Sequence, residues 1–100
     1  MTGRRITGPP PQGVDEAIAY QVECTPPATA VIGVTVYDET DAGADVTATV
    51  MPAGTASISG GNITLPLLQD LTAEHLYRVE AQYSDGTSIL EPYFLVKAYR

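Results

Sequence analysis

The chain has 100 residues, of which 44% are hydrophobic and 17% charged, with a formal net charge of −7 and a pI of about 4.3. That length suits one domain, and the composition is too apolar for a chain disordered along its length. Five Lys and Arg against twelve Asp and Glu exclude recognition driven by nucleic-acid phosphates or anionic lipid, while the excess charge favours solubility.

Cys24 is the single cysteine, so no internal disulfide can form and nothing marks an oxidising compartment. No apolar run approaches the ~20 residues of a membrane span. The start, MTGRRITGPPPQG, has a basic pair but no apolar stretch after it, unlike a secretory signal. The expectation is a protein made and kept in the cytoplasm, or assembled there into something larger.

Residues 1–13 read as an arm, with Pro9, Pro10 and Pro11 imposing extended backbone. A flexible terminus is the plain expectation, and ordering against a partner or along a sheet edge is the sharper one. Residues 14–100 read as one domain. Its first strand is Ala17–Cys24, with Ile18, Tyr20, Val22 and Cys24 on one face. Its second is Val31–Tyr37, with Ile32, Val34 and Val36 inward. The acidic turn Asp38–Asp45 follows. A third strand is expected at Val46–Met51, with Val46, Ala48 and Val50 inward. Thr55–Ser59 is a short fourth strand, Gly60-Gly61-Asn62 a tight turn, and Ile63–Leu67 a fifth strand. Pro66 and irregular apolar spacing make Leu65–Leu76 a crossover loop. Tyr77–Ser84 gives the cleanest alternation, with Tyr77, Val79, Ala81 and Tyr83 on one face and Arg78, Glu80, Gln82 and Ser84 on the other. Asp85-Gly86 turns a hairpin into a seventh strand, Thr87–Tyr99. There Pro92 implies a bulge or an edge, Phe94, Val96 and Ala98 face the core, and Tyr93, Leu95, Lys97 and Tyr99 face out.

Seven short strands with frequent turns predict an all-β, antiparallel sandwich with a Pro-rich N-terminal arm. Within it, LTAEHLYRVEAQY resembles the tyrosine corner of immunoglobulin-like and fibronectin type III-like domains. The resemblance implies an immunoglobulin-like sandwich in which Leu71 closes one strand and Tyr77 opens the penultimate one, its hydroxyl bonding back to the corner backbone. Glu74 stands where that family often has glycine. The absence of tryptophan and of paired cysteines separates the chain from antibody domains. The stretches VTVYDETDAGADVTATV, GTASISGGNITLPLL and LTAEHLYRVEAQYSDG also resemble small immunoglobulin-like structural proteins of tailed bacteriophages and prophages. That resemblance implies a non-enzymatic head, neck or tail-adaptor component of the virion.

Few residues suggest chemistry. Asp38, Asp41 and Asp45 are the weak metal candidates. Their spacing fails the EF-hand pattern, and Asp and Gly are ordinary turn residues, so a solvated turn is the expectation. His75 has no serine in a nucleophile-elbow context beside it and reads as a corner or solvated residue. Cys24 reads as a buried thiol. Asn62-Ile63-Thr64 matches a glycosylation sequon without a secretory context.

The sequence therefore points to an interaction module without catalytic residues or cofactor. Its partners would be proteins, either other virion components or copies of itself. Pro9, Pro10 and Pro11, the outward residues Tyr93, Leu95 and Tyr99, and a sheet edge exposed by Pro92 would make the contacts. The alternative is a carbohydrate- or ligand-binding accessory module with a Ca²⁺ site in the acidic turn.

Overall fold

Alternating apolar and polar residues, broken by Gly, Pro and Asp, put most of the chain into short strands around one core. In the computed structural model, which describes residues 4–5, 11–52 and 55–100, the strands are β1 (Arg4–Arg5), β2 (Gln12–Gly13), β3 (Ile18–Val22), β4 (Ala30–Asp38), β5 (Ala44–Asp45), β6 (Ser57–Ser59), β7 (Asn62–Leu68), β8 (Leu76–Ser84), β9 (Ile89–Leu90) and β10 (Pro92–Tyr99). A 3₁₀ turn spans Glu39–Asp41, and one α-helical turn, α1, spans Thr47–Val50.

Two sheets enclose the core. The larger has the order β1-β10-β8-β4-β5, with β2 also on β10 and β9 on β8; the smaller has the order β3-β7-β6. β4, β8 and β10 pair antiparallel, whereas β1 and β2 join β10 in parallel. The core is filled from both inner faces, with Val36, Tyr77, Val79, Tyr83 and Val96 from the larger sheet and Val22, Ile63 and Leu68 from the smaller. Along β8 the residues Tyr77, Val79, Ala81 and Tyr83 are buried in strict alternation, the period-2 pattern that a half-buried strand requires. Tyr83 donates its hydroxyl to the Pro26 carbonyl at 2.8 Å, closing the far end of the core.

Four expectations are corrected. Residues 46–51 do not form a strand. A strand would bury alternate residues, but here the consecutive Val50 and Met51 are both buried, which the helical turn permits and a strand does not. Asp45 starts that turn, its Oδ1 accepting from the N–H of Thr47 at 3.0 Å and the Thr47 hydroxyl at 2.7 Å. In β4 an extra residue shifts the register between Val31 and Gly33, so Ile32 is expelled to solvent, 51% exposed, instead of facing inward. The crossover expected from Leu65 starts later. A second bulge, opposite Ala19–Gln21 in β3, carries β7 through Pro66 to Leu68, so Leu65 and Leu68 are both buried and Leu67 is exposed.

The fourth correction concerns Pro92. It is buried, and β10 is no open edge, because Arg4 and Arg5 pair beside Pro92 and Tyr93 while Gln12 and Gly13 pair beside Ala98 and Tyr99. A proline donates no ladder hydrogen bond, and its place at the start of the strand accommodates that.

Candidate functional site

The corner between β7 and β8 is built first from local geometry. Leu71 and Tyr77 are 5% and 2% exposed. The Thr72 N–H donates to the Tyr77 hydroxyl at 2.7 Å, and the His75 N–H to the Thr72 carbonyl at 3.2 Å. Glu74 holds φ +70°, a left-handed conformation that a β-carbon disfavours. Its N–H reaches the Ala98 carbonyl at 3.0 Å, and Lys97 Nζ donates to the Glu74 carbonyl at 2.8 Å. Two outcomes are expected. Tyr77→Phe leaves the Thr72 N–H without its acceptor and lowers stability by about 1–2 kcal/mol in urea unfolding. Glu74→Gly relieves the left-handed strain, less the added freedom of glycine in the unfolded chain, and raises stability by about 0.5 kcal/mol. A lower melting temperature for Glu74→Gly would contradict that account.

The acidic turn is solvent-exposed at Glu39, Thr40, Asp41, Ala42, Ala44 and Asp45, as a solvated turn would be, but it is docked on this corner through Asp38. Asp38 is 5% exposed. Its Oδ1 accepts from the N–H groups of Thr40 and Asp41 at 3.1 Å each, and its Oδ2 lies 2.7 Å from His75 Nδ1. The His75 ring stacks on Tyr77 with centroids 6.3 Å apart, and the Leu76 N–H donates to the Thr40 hydroxyl at 2.9 Å. Asp38 thus joins the end of β4 to the entrance of β8. Sequence reading missed the pair because His75 and Asp38 lie 37 residues apart. The Asp45 carboxyl is held below its ordinary range by the Thr47 hydroxyl and N–H. With Asp38 and Asp45 so engaged, Asp38, Asp41 and Asp45 do not converge, and among the described residues no group of three or more His, Cys, Asp or Glu is placed to hold a metal ion.

The outer face of the larger sheet carries a polar lattice. Arg78 pairs with Glu80, approaches Glu39 at 3.9 Å, and lies 4.4 Å above the Tyr93 ring. Tyr93 is therefore lidded by a guanidinium on one face, and Tyr93 and Leu95 are half-buried while Tyr99 is exposed. Gln82 donates to Glu91 at 2.9 Å. A shallow depression on this face is lined by Gly33, Thr35, Tyr37, Glu80, Gln82 and Glu91.

Of the prolines expected at an interface, Pro9 and Pro10 lie outside the described residues. Pro11 is exposed and shares an open hollow with Glu74, Lys97, Ala98 and Tyr99. Next to it stands a residue that composition gave no reason to single out. Gln12 is 0% exposed. Its Nε2 donates to the Leu68 carbonyl at 2.7 Å and the Glu16 carbonyl at 3.0 Å, and its Oε1 accepts the Tyr20 hydroxyl at 2.7 Å. It joins the backbone of one sheet to both long strands of the other. Burial and the nearby Glu16 charge push the Tyr20 hydroxyl up from its ordinary pKa. The buried Cys24 thiol is likewise pushed up by burial, which disfavours the thiolate a nucleophile needs.

Between the two sheets, beside β4, runs a groove of about 290 Å³, lined by Val31, Ile32, Gly33, Val34, Thr47, Met51, Thr55, Ala56 and Pro66. It lies at the lower limit of small-molecule pockets and suits a few side chains better. Large apolar side chains stand exposed at Ile32, Leu67, Ile89 and Tyr99. No helix among the described residues is long and apolar enough to cross a membrane. The chain matches no protein-family model, no curated protein and no solved structure.

Proposed function

We propose that the chain is an immunoglobulin-like interaction module without catalytic activity, acting as a structural component of a phage or prophage virion in the head, neck or tail adaptor. The observation that carries the reading is where the surface is apolar. Ile32, Leu67 and Ile89 are 51%, 48% and 63% exposed, all on strands. Such apolar side chains on rigid strands offer contact points for other proteins. The immunoglobulin-like part is supported by the β3-β7-β6 sheet facing β10-β8-β4-β5 and by the Thr72–Tyr77 corner bond.

In a particle, repetition would multiply contacts that are weak singly. The chain would then act from the host cytoplasm into the virion, with other virion proteins or its own copies as neighbours. The test is mass spectrometry of particles purified from the host that encodes the chain. The chain should be present at a fixed ratio to the major head or tail protein, and its absence from particles despite expression in the cell would overturn the reading.

A further inference from the structure

We infer that the open side of β4 is a docking lane for an extended segment of a partner protein, one that alternates apolar residues with Lys or Arg. The inference rests on the reading of the chain as an interaction module and names where and what it binds.

The lane comes from a lost strand. β5 accompanies β4 only at Tyr37 and Asp38. The chain then leaves as α1, and two bonds close off the ladder: the Val46 N–H to the Val36 carbonyl at 2.9 Å, and the Val36 N–H to the Thr47 hydroxyl at 2.8 Å. Beyond them, among the described residues, Ala30–Thr35 has β8 on one side and no strand on the other. Backbone groups alternate sides along an antiparallel strand. Val36 points its N–H and C=O away from β8, so Val34 does too, toward the open side. Such an edge is a template for strand addition.

The chemistry of the occupant follows from what flanks the edge. Side chains of an added strand alternate between two faces. On the inner side they would meet the groove over Met51, Ala56 and Pro66, which selects small or branched apolar residues. On the outer side, past Gly33 and Thr35, they would meet the depression that holds Glu80 and Glu91. Glu80 is already paired with Arg78, so the uncompensated charge is that of Glu91, bonded only by the neutral amide of Gln82, within a chain that carries −7. That field favours a cationic partner and opposes a second copy of this chain. Gly33 has nothing within 4 Å of where a β-carbon would stand, so the outer face of β4 is open there to a long side chain of the added strand.

The probe is a capped peptide alternating lysine with valine, titrated into the full ¹⁵N-labelled chain, beside a counterpart with glutamate in place of lysine. The Val34 amide should shift and gain exchange protection with the lysine peptide, the Thr35 amide, which faces β8, should shift without gaining protection, and the glutamate peptide should bind at least about tenfold more weakly. Ile32→Lys, at an exposed position, should keep the melting temperature and weaken the lysine peptide at least about tenfold. Glu91→Gln should narrow the preference for lysine. Shifts confined to other residues, equal binding of both peptides, or undiminished binding by Ile32→Lys would each overturn the inference. Shifts at Val34 and Thr35 that grow with protein concentration alone would assign the lane to a second copy and overturn the cationic partner. The outcome is separable from that of the virion reading: absence of the chain from particles leaves the peptide result standing, and presence in particles does not rescue a negative titration.

Discussion

Gln12→Leu should destabilise the protein by about 2–4 kcal/mol, although it keeps the volume and adds apolar surface. The substitution removes two donors and one acceptor together, leaving the buried Leu68 carbonyl without its 2.7 Å partner and the Tyr20 hydroxyl without its acceptor. Each orphaned buried group costs about 1–3 kcal/mol, and the half-exposed Tyr20 recovers part of its share from water. Gln21→Leu, on the exposed face of β3, is the control and should change stability by no more than about 0.5 kcal/mol. Urea unfolding of both variants checks this. A loss below about 1 kcal/mol for Gln12→Leu would mean that residues 12–13 contribute little to the folded domain.

Gly61→Ala should cost about 3 kcal/mol, and Gly60→Ala about 1 kcal/mol. Both glycines have positive φ, +60° and +81° for Gly60 and Gly61. Only Gly61 also faces a wall: an added β-carbon would stand 2.7 Å from Pro27 Cβ, whereas at Gly60 nothing lies within 4 Å. Conformational strain is therefore common to the pair, and the difference reads out the packing of the β6–β7 turn against the Pro26-Pro27 loop. The contact is reinforced by the Ala28 N–H, which donates to the Gly61 carbonyl at 2.8 Å. Equal losses for the two variants, measured by thermal unfolding, would show that the loop yields and the contact is soft.

What the sequence reveals here follows the range of the interactions. β8 is legible because burial on one face imposes period 2, and Tyr77 to Tyr83 keep it without a break. The Asp85-Gly86 turn is legible because its signal is local: Asp85 Oδ1 accepts from Thr87 and Ser88 at 2.8 and 2.6 Å, and Gly86 sits at φ +98°. Residues 46–51 mislead because Val and Thr favour strands and alternate correctly, yet the demand to bury Val50 and Met51 together outweighs that propensity. Ile32 misleads for a related reason, since a bulge inserts one residue without leaving a compositional mark. Gln12 and the Asp38–His75 pair are invisible to any local reading. Their partners at Leu68 and across 37 residues exist only once the sheets have met. The candidate docking lane is illegible for the same cause, being the space left where an expected strand does not run.

The pairing of Gln12 and Gly13 with Ala98 and Tyr99 also governs the order in which the molecule can be completed. During synthesis the segment around Gln12 leaves the ribosome long before its partner strand exists. Until β10 is made, β8 lacks a neighbour on that side, and Gln12 has no ladder to fix its backbone while its side chain reaches for Leu68. Closure is thus a late event joining distant parts of the chain, of the kind that slows folding in sheet proteins. In that interval the unpaired flank of β8 is a surface that the corresponding strand of another copy can capture.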